Sequence, residues 1–158
     1  MLGIDPGLNV TGYALVAFGK GEPDILEAGT LKTNPKALMG ERIAQLYADI
    51  AELIAEHKPD LVSIEKLYAH YKHPRTAILM AHARGIVLLA AEQAGVGIRN
   101  LPATEVKKSL TGNGHASKLQ VQRAVQAAFN LPALPQPPDV ADAIAIAVCG
   151  GRRARQAH

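Results

Sequence analysis

The order of its short apolar runs constrains this chain more than any other feature. Three strand-like segments come first, "MLGI", "GYALVAFG" and "DILEAGTLKT", joined by the turn signal "DPG" and the connection "GKGEP". Segments joined so tightly pair as an antiparallel meander. Next, "ALMGERIAQLYADIAELIAEH" sets Ile43, Leu46, Ile50, Leu53 and Ile54 at helical spacing, and Pro59 stops the helix. "DLVSIE" then reads as a buried strand, "TAILMAHARGIVLLAAEQAG" as a long apolar helix closed by Gly95, and "VGIRNL" as one more strand. A helix between two strands makes a right-handed crossover to a parallel neighbour. The pattern predicts a mixed five-stranded α/β sheet, an antiparallel meander plus parallel strands, with helices on both faces. Helices around "TEVKKSL" and "KLQVQRAVQAAF", a Pro-rich connector "LPALPQPP" and a last helix "DVADAIAIAV" complete the chain. We expect one domain over residues 1–150 and a flexible basic tail over 151–158.

Composition limits the class. Of 158 residues, 48% are hydrophobic and 20% charged, which is globular rather than disordered. No apolar run reaches the ~20 residues that span a bilayer, and the opening "MLGIDPG" lacks the regions of a signal peptide. The single cysteine, Cys149, allows no internal disulfide and suits a reducing compartment. A cytoplasmic domain with no membrane partner is expected. Cys149 reads as core packing. His70, His73, His82 and His115 form no HExxH pair, and neither a Walker A motif nor GxGxxG occurs.

The acids carry more information. Asp139 and Asp142 are the only carboxylates from Val106 to His158, against seven Lys and Arg. Asp139, just after Pro137-Pro138, could be a helix N-cap with Asp142 completing a capping box. Asp142, however, shares a face with Ala145, Ile146 and Cys149, and a carboxylate facing inward must find a cation. Asp5 and Glu65 each end a strand, where sites gather in sheets of this kind. Their plain readings are a turn-former in "DPG" and a strand-end acid paired with Lys66 or another base. Four inward carboxylates would suit hard divalent cations such as Mg²⁺, and two such ions can cleave a phosphodiester.

The segments "GIDPGLNVTGYAL", "IEKLY", "ARG", "VKKSLTGNGHASKLQVQ" and "LPQPPDVADAIAIA", in this order, resemble the RuvC family of Holliday-junction resolvases from Leu2 to about Val148. The resemblance implies a ribonuclease-H-like fold and a homodimer that nicks four-way junction DNA symmetrically in recombination and repair. It also implies Mg²⁺, or Mn²⁺ in its place, with two ions per subunit, and branch-migration proteins of the Ruv system as partners. The family's four acids match Asp5, Glu65, Asp139 and Asp142, its functional lysines match Lys107 and Lys118, and its DNA-packing aromatic matches Tyr68.

The distribution of charge points to nucleic acid by itself. From Lys66 to Ala91 there is no acid, while Lys66, Lys72, Arg75 and Arg84 stand among Tyr68 and Tyr71. A second acid-free block holds Lys107, Lys108, His115, Lys118 and Arg123 around "TGNGH". DNA contacts are expected at Tyr68, Lys72, Arg75, Lys108 and His115. Solvated surface charge is the plain alternative for each. Two other readings stand beside the nuclease. "GIDPGLNVTG" is also similar to the phosphate loop of actin- and Hsp70-like ATPases, which need a second lobe. A non-catalytic nucleic-acid binder would not need four convergent acids.

Overall fold

Alternation along the strands decides which side chains enter which layer. The computed structural model describes residues 1–67 and 73–156. Its strands are β1 (Leu2–Asp5), β2 (Val10–Ala17), β3 (Asp24–Lys32), β4 (Leu61–Glu65) and β5 (Gly97–Leu101). They lie in the order β3-β2-β1-β4-β5. The pairs β1–β2 and β2–β3 are antiparallel, whereas β1–β4 and β4–β5 are parallel. The predicted mixed sheet is therefore the one that forms, with β1 joining its meander half to its parallel half.

Helices α1 (Met39–His57) and α2 (Pro74–Gln93) cover one face. There Leu2, Ile4, Leu15, Val62 and Ile64 pack with Leu46, Ile50 and Ile54 of α1 and with Ala83, Val87 and Ala91 of α2. Helices α3 (Ala103–Thr111), α4 (Lys118–Ala128) and α5 (Pro138–Gln156) cover the other. Ala14 and Val16 meet Ile144 and Val148 of α5 there, with Val106, Val121 and Val125 behind them. Cys149 is buried in this layer, as core packing requires. On α2, Ile78 and Leu89 point outward and are 58% and 48% exposed. Among the described residues no helix is long and apolar enough to cross a membrane.

Helix α5 lies unusually close to the sheet because glycine stands at the contacts. A Cβ on Gly3 would fall 2.4 Å from the Ala143 carbonyl oxygen, and one on Gly12 would fall 2.1 Å from that of Asp139. The same closeness explains a departure from expectation. The tail expected to be flexible from residue 151 is helical through Gln156. Gly150 and Gly151, both poor helix formers, are buried beneath the side chains of Ser63 and Phe18. Packing outweighs their low helix propensity. Beyond them, Arg152 donates to the Ser109 carbonyl and Arg155 to that of Gly19. Residues 157 and 158 lie outside the described range.

Gly12→Ala should therefore destabilise the protein by about 1–3 kcal/mol, the usual range for overpacking. Urea denaturation would measure the loss, and a variant as stable as the parent would contradict the close contact.

Candidate active site

The site begins with two strand ends. Ile4 pairs with Ile64 across the parallel β1–β4 ladder, so Asp5 and Glu65, next in line, leave the same sheet edge about 4.8 Å apart in backbone. Asp5 stands opposite Gly12 on β2, and over Gly12 rests the backbone of Asp139. Asp139 is the second residue of α5, inside its first turn rather than at the cap. Asp142 follows one turn later on the face toward the sheet.

All four acids line a single pocket of about 390 Å³, together with Lys107 from α3 and Lys118 from α4. Lys118 opens its helix. Ser117 caps it by accepting the Gln120 amide at 3.2 Å, while Gln120 Oε1 accepts the Ser117 amide at 2.7 Å. That Ser-x-x-Gln box marks the start of α4 and could have been read from the sequence. The loop after Asp5 is tied down on its far side. Thr11 Oγ1 donates to the Gly7 carbonyl at 2.6 Å, and Thr33 Oγ1 to that of Leu8 at 2.6 Å. The buried Arg42 donates through Nε to Thr33 Oγ1 at 3.0 Å and through Nη2 to Asn9 Oδ1.

The remaining expected site residues fare differently. Tyr68 and Lys72 lie outside the described residues. Arg75 is exposed in the first turn of α2, and His115 is exposed on the turn between α3 and α4. Lys108 faces another groove, beside Glu105, Cys149, Arg152 and Arg153. Thr76 and Met80 of α2, one turn apart, complete the pocket wall. Sequence reasoning missed them because nothing local marks a helix residue that meets a site across the fold.

Several known proteins are similar to this chain. The family model described as "Crossover junction endodeoxyribonuclease RuvC" matches residues 1–150. A protein of that name from Rhodopirellula baltica is 47% identical over 150 residues, covering 95% of this chain and 84% of the relative. One from Gloeobacter violaceus is 44% identical over 151 residues, covering 95% of this chain and 86% of its own length. Among solved structures, T. thermophilus RuvC in complex with a Holliday junction substrate superposes with a TM-score of 0.90 at 33% identity, covering 99% of this chain and 94% of that one. A yeast mitochondrial Holliday junction resolvase shares the fold, with a TM-score of 0.70 at 14% identity over 98% of this chain and 78% of its own. The sheet and its helices are thus ribonuclease-H-like.

Burial first, and charge crowding after it, set the electrostatics of the pocket. Burial, then Asp142, Glu65 and Asp139, hold the Asp5 carboxyl well above the ordinary carboxylate range. Burial and Asp142 raise Glu65, against the pull of Lys107 and Lys118. Burial raises Asp142 too, opposed by Lys118 and, less, by Lys107. Among the described residues no ion pair involves any of the four acids. Nor do three potential ligands converge there as a ready-made ion cage. Half-buried carboxylates with only oxygen donors and an excess of negative charge fit a hard divalent cation.

A carboxyl whose folded-state pKa is raised binds its proton more tightly in the folded chain than in the unfolded one. Stability therefore falls as pH rises through and above the ordinary carboxylate range of about 4. In EDTA, the protein should melt at a higher temperature near pH 5 than near pH 8 from this source. Asp142→Asn should flatten the difference, and a series of thermal melts across pH checks it.

Proposed function

The chain belongs to the RuvC family of crossover junction endodeoxyribonucleases, and we propose that its carboxylate pocket is where a four-way DNA junction is nicked. The observation that carries this reading is the meeting of Asp5, Glu65, Asp139 and Asp142 with Lys107 and Lys118 in one pocket. Four acids alone would repel a phosphodiester, so these carboxylates act as ligands: Asp5, Glu65, Asp139 and Asp142 would hold Mg²⁺, with Mn²⁺ able to replace it and two ions per subunit. When bound, such ions supply Lewis-acid polarisation of the scissile phosphate and a water of lowered pKa.

The chain's own groups do the rest. Lys118 and Lys107 enter from two different helices and offer positive charge to the non-bridging oxygens as negative charge develops. The strand ends and the first two turns of α5 hold the carboxylates on rigid elements, so little reorganisation accompanies reaction. Met80, Val10, Val106 and Val121 wall the pocket with apolar surface and lower its dielectric. Tyr68 packs on the DNA near the crossover, and Lys72, Arg75, Lys108 and His115 contact the junction's phosphates. The enzyme works in the cytoplasm in homologous recombination and DNA repair, beside branch-migration proteins of the Ruv system.

Two nicks related by symmetry call for two sites related by symmetry, and a two-fold homodimer supplies them. The outward apolar residues of α2, Ile78 and Leu89, give that dimer its interface.

A synthetic four-way junction, with and without Mg²⁺, tests the activity: paired nicks that need the ion are expected. Asp142→Asn should lower the nicking rate by roughly 10²-fold or more while junction binding persists, because a charge that repels phosphate has been removed. A variant that cleaves at the parent rate would remove Asp142 from the site. For assembly, sedimentation at micromolar concentration without DNA should give a dimer, which Ile78→Asp should dissociate. A parent that sediments as a monomer yet makes paired nicks would refute the symmetric unit.

A further inference from the structure

The parallel half of the sheet ends where the site needs it most rigid. Glu65 of β4 pairs with Leu101 of β5, and one step further the Lys66 amide donates to the Leu101 carbonyl at 2.8 Å. There the ladder stops. β5 turns at Pro102 into α3, which carries Lys107, so both strand ends lead directly to groups of the pocket. Arg84, from the middle of α2, reaches across the two of them. Its Nε donates to the Glu65 carbonyl at 3.4 Å, and its Nη2 donates to Asn100 Oδ1. A guanidinium presents its donors in a fixed planar fork and can join two acceptors at once, where an ammonium is a single mobile point.

The contact is with the backbone of Glu65, not with its carboxylate. No ion pair joins Arg84 to Glu65 among the described residues, and the cations whose field reaches that carboxylate are Lys107 and Lys118. α2 also brings Thr76 and Met80 to the pocket wall. One side chain thus ties the helix of that wall to the strand end that bears a ligand.

We infer that Arg84 is a positioning residue for the cleavage reaction, bolting α2 across the ends of β4 and β5 so that Glu65 enters the pocket in a fixed direction. The inference rests on the nuclease reading of the pocket, but its central readout does not. Arg84→Ala, Arg84→Lys and Asn100→Ala would be compared with the parent in three measurements. These are Mn²⁺ binding to the DNA-free protein by calorimetry, junction binding in EDTA by fluorescence anisotropy, and the nicking rate at saturating junction.

Arg84→Ala should weaken Mn²⁺ binding about tenfold or more, the usual size for loss of a group that orients a ligand. The saturated rate should fall by a similar factor, with junction affinity within about twofold of the parent. Arg84→Lys keeps the charge without the fork and should fall with it. Asn100→Ala leaves the arginine in place and should lose part of the effect, which guards against an alanine variant that fails to fold. Free guanidinium ion should partly restore Arg84→Ala. Unchanged Mn²⁺ affinity in Arg84→Ala would overturn the inference, as would full activity in Arg84→Lys, which would make the effect one of charge. A parent that binds Mn²⁺ but nicks no junction would overturn the nuclease reading instead, leaving Arg84 to be judged by the calorimetry.

Discussion

The whole arrangement depends on how near one helix can come to one sheet. Two of the four acids stand on strand ends and two on α5, so the site exists only at the separation that Gly3 and Gly12 permit. A side chain at either position would push the helix outward, and the carboxylates of α5 would retreat from those of the sheet. Helices ordinarily pack through side chains that interdigitate with those of the neighbouring element. Here backbone meets backbone, and the gain is positional. Asp139 and Asp142 are held by main-chain contact rather than by the rotamers of intervening residues.

That closeness conflicts with electrostatics. Like charges crowded in a half-buried pocket oppose folding, and Lys107 and Lys118 relieve only part of the strain. The rest of the molecule compensates with two continuous apolar layers, one on each face of the sheet. Polar ties add to them, as where Thr11, Thr33 and Arg42 fasten the loop after Asp5. Stability concentrated away from a strained site is the common pattern for enzymes, in which local optimality yields to chemistry.

What could be read from the sequence follows the range of the interactions involved. Asp5 and Glu65 were legible because strand ends are local and apolar runs mark them. Asp142 was legible because its helical face is otherwise apolar. The cap reading of Asp139 failed by a short distance, since Pro138 takes the first helical position and puts Asp139 inside the turn. The full length of α5 was hidden by Gly150-Gly151, whose local preference is to stop a helix and whose burial under Ser63 and Phe18 only the tertiary fold supplies. Arg42 reaches Asn9 across 33 residues, and Thr76 and Met80 reach the pocket across the sheet. No pattern within a window of sequence encodes such contacts. The resemblance between families resolved what periodicity left open, the choice among nuclease, ATPase lobe and passive binder.

The burial of Cys149 has a use at the bench. It is the chain's single thiol, packed inside the α5 layer, and burial raises its pKa, so little of the reactive thiolate form exists at neutral pH. The native surface is therefore nearly silent toward maleimide dyes. A cysteine introduced at any exposed position would take the label almost alone. With one fluorophore on the protein and another on a DNA arm, energy transfer could report where the junction sits, without first stripping the protein of its own sulfur chemistry.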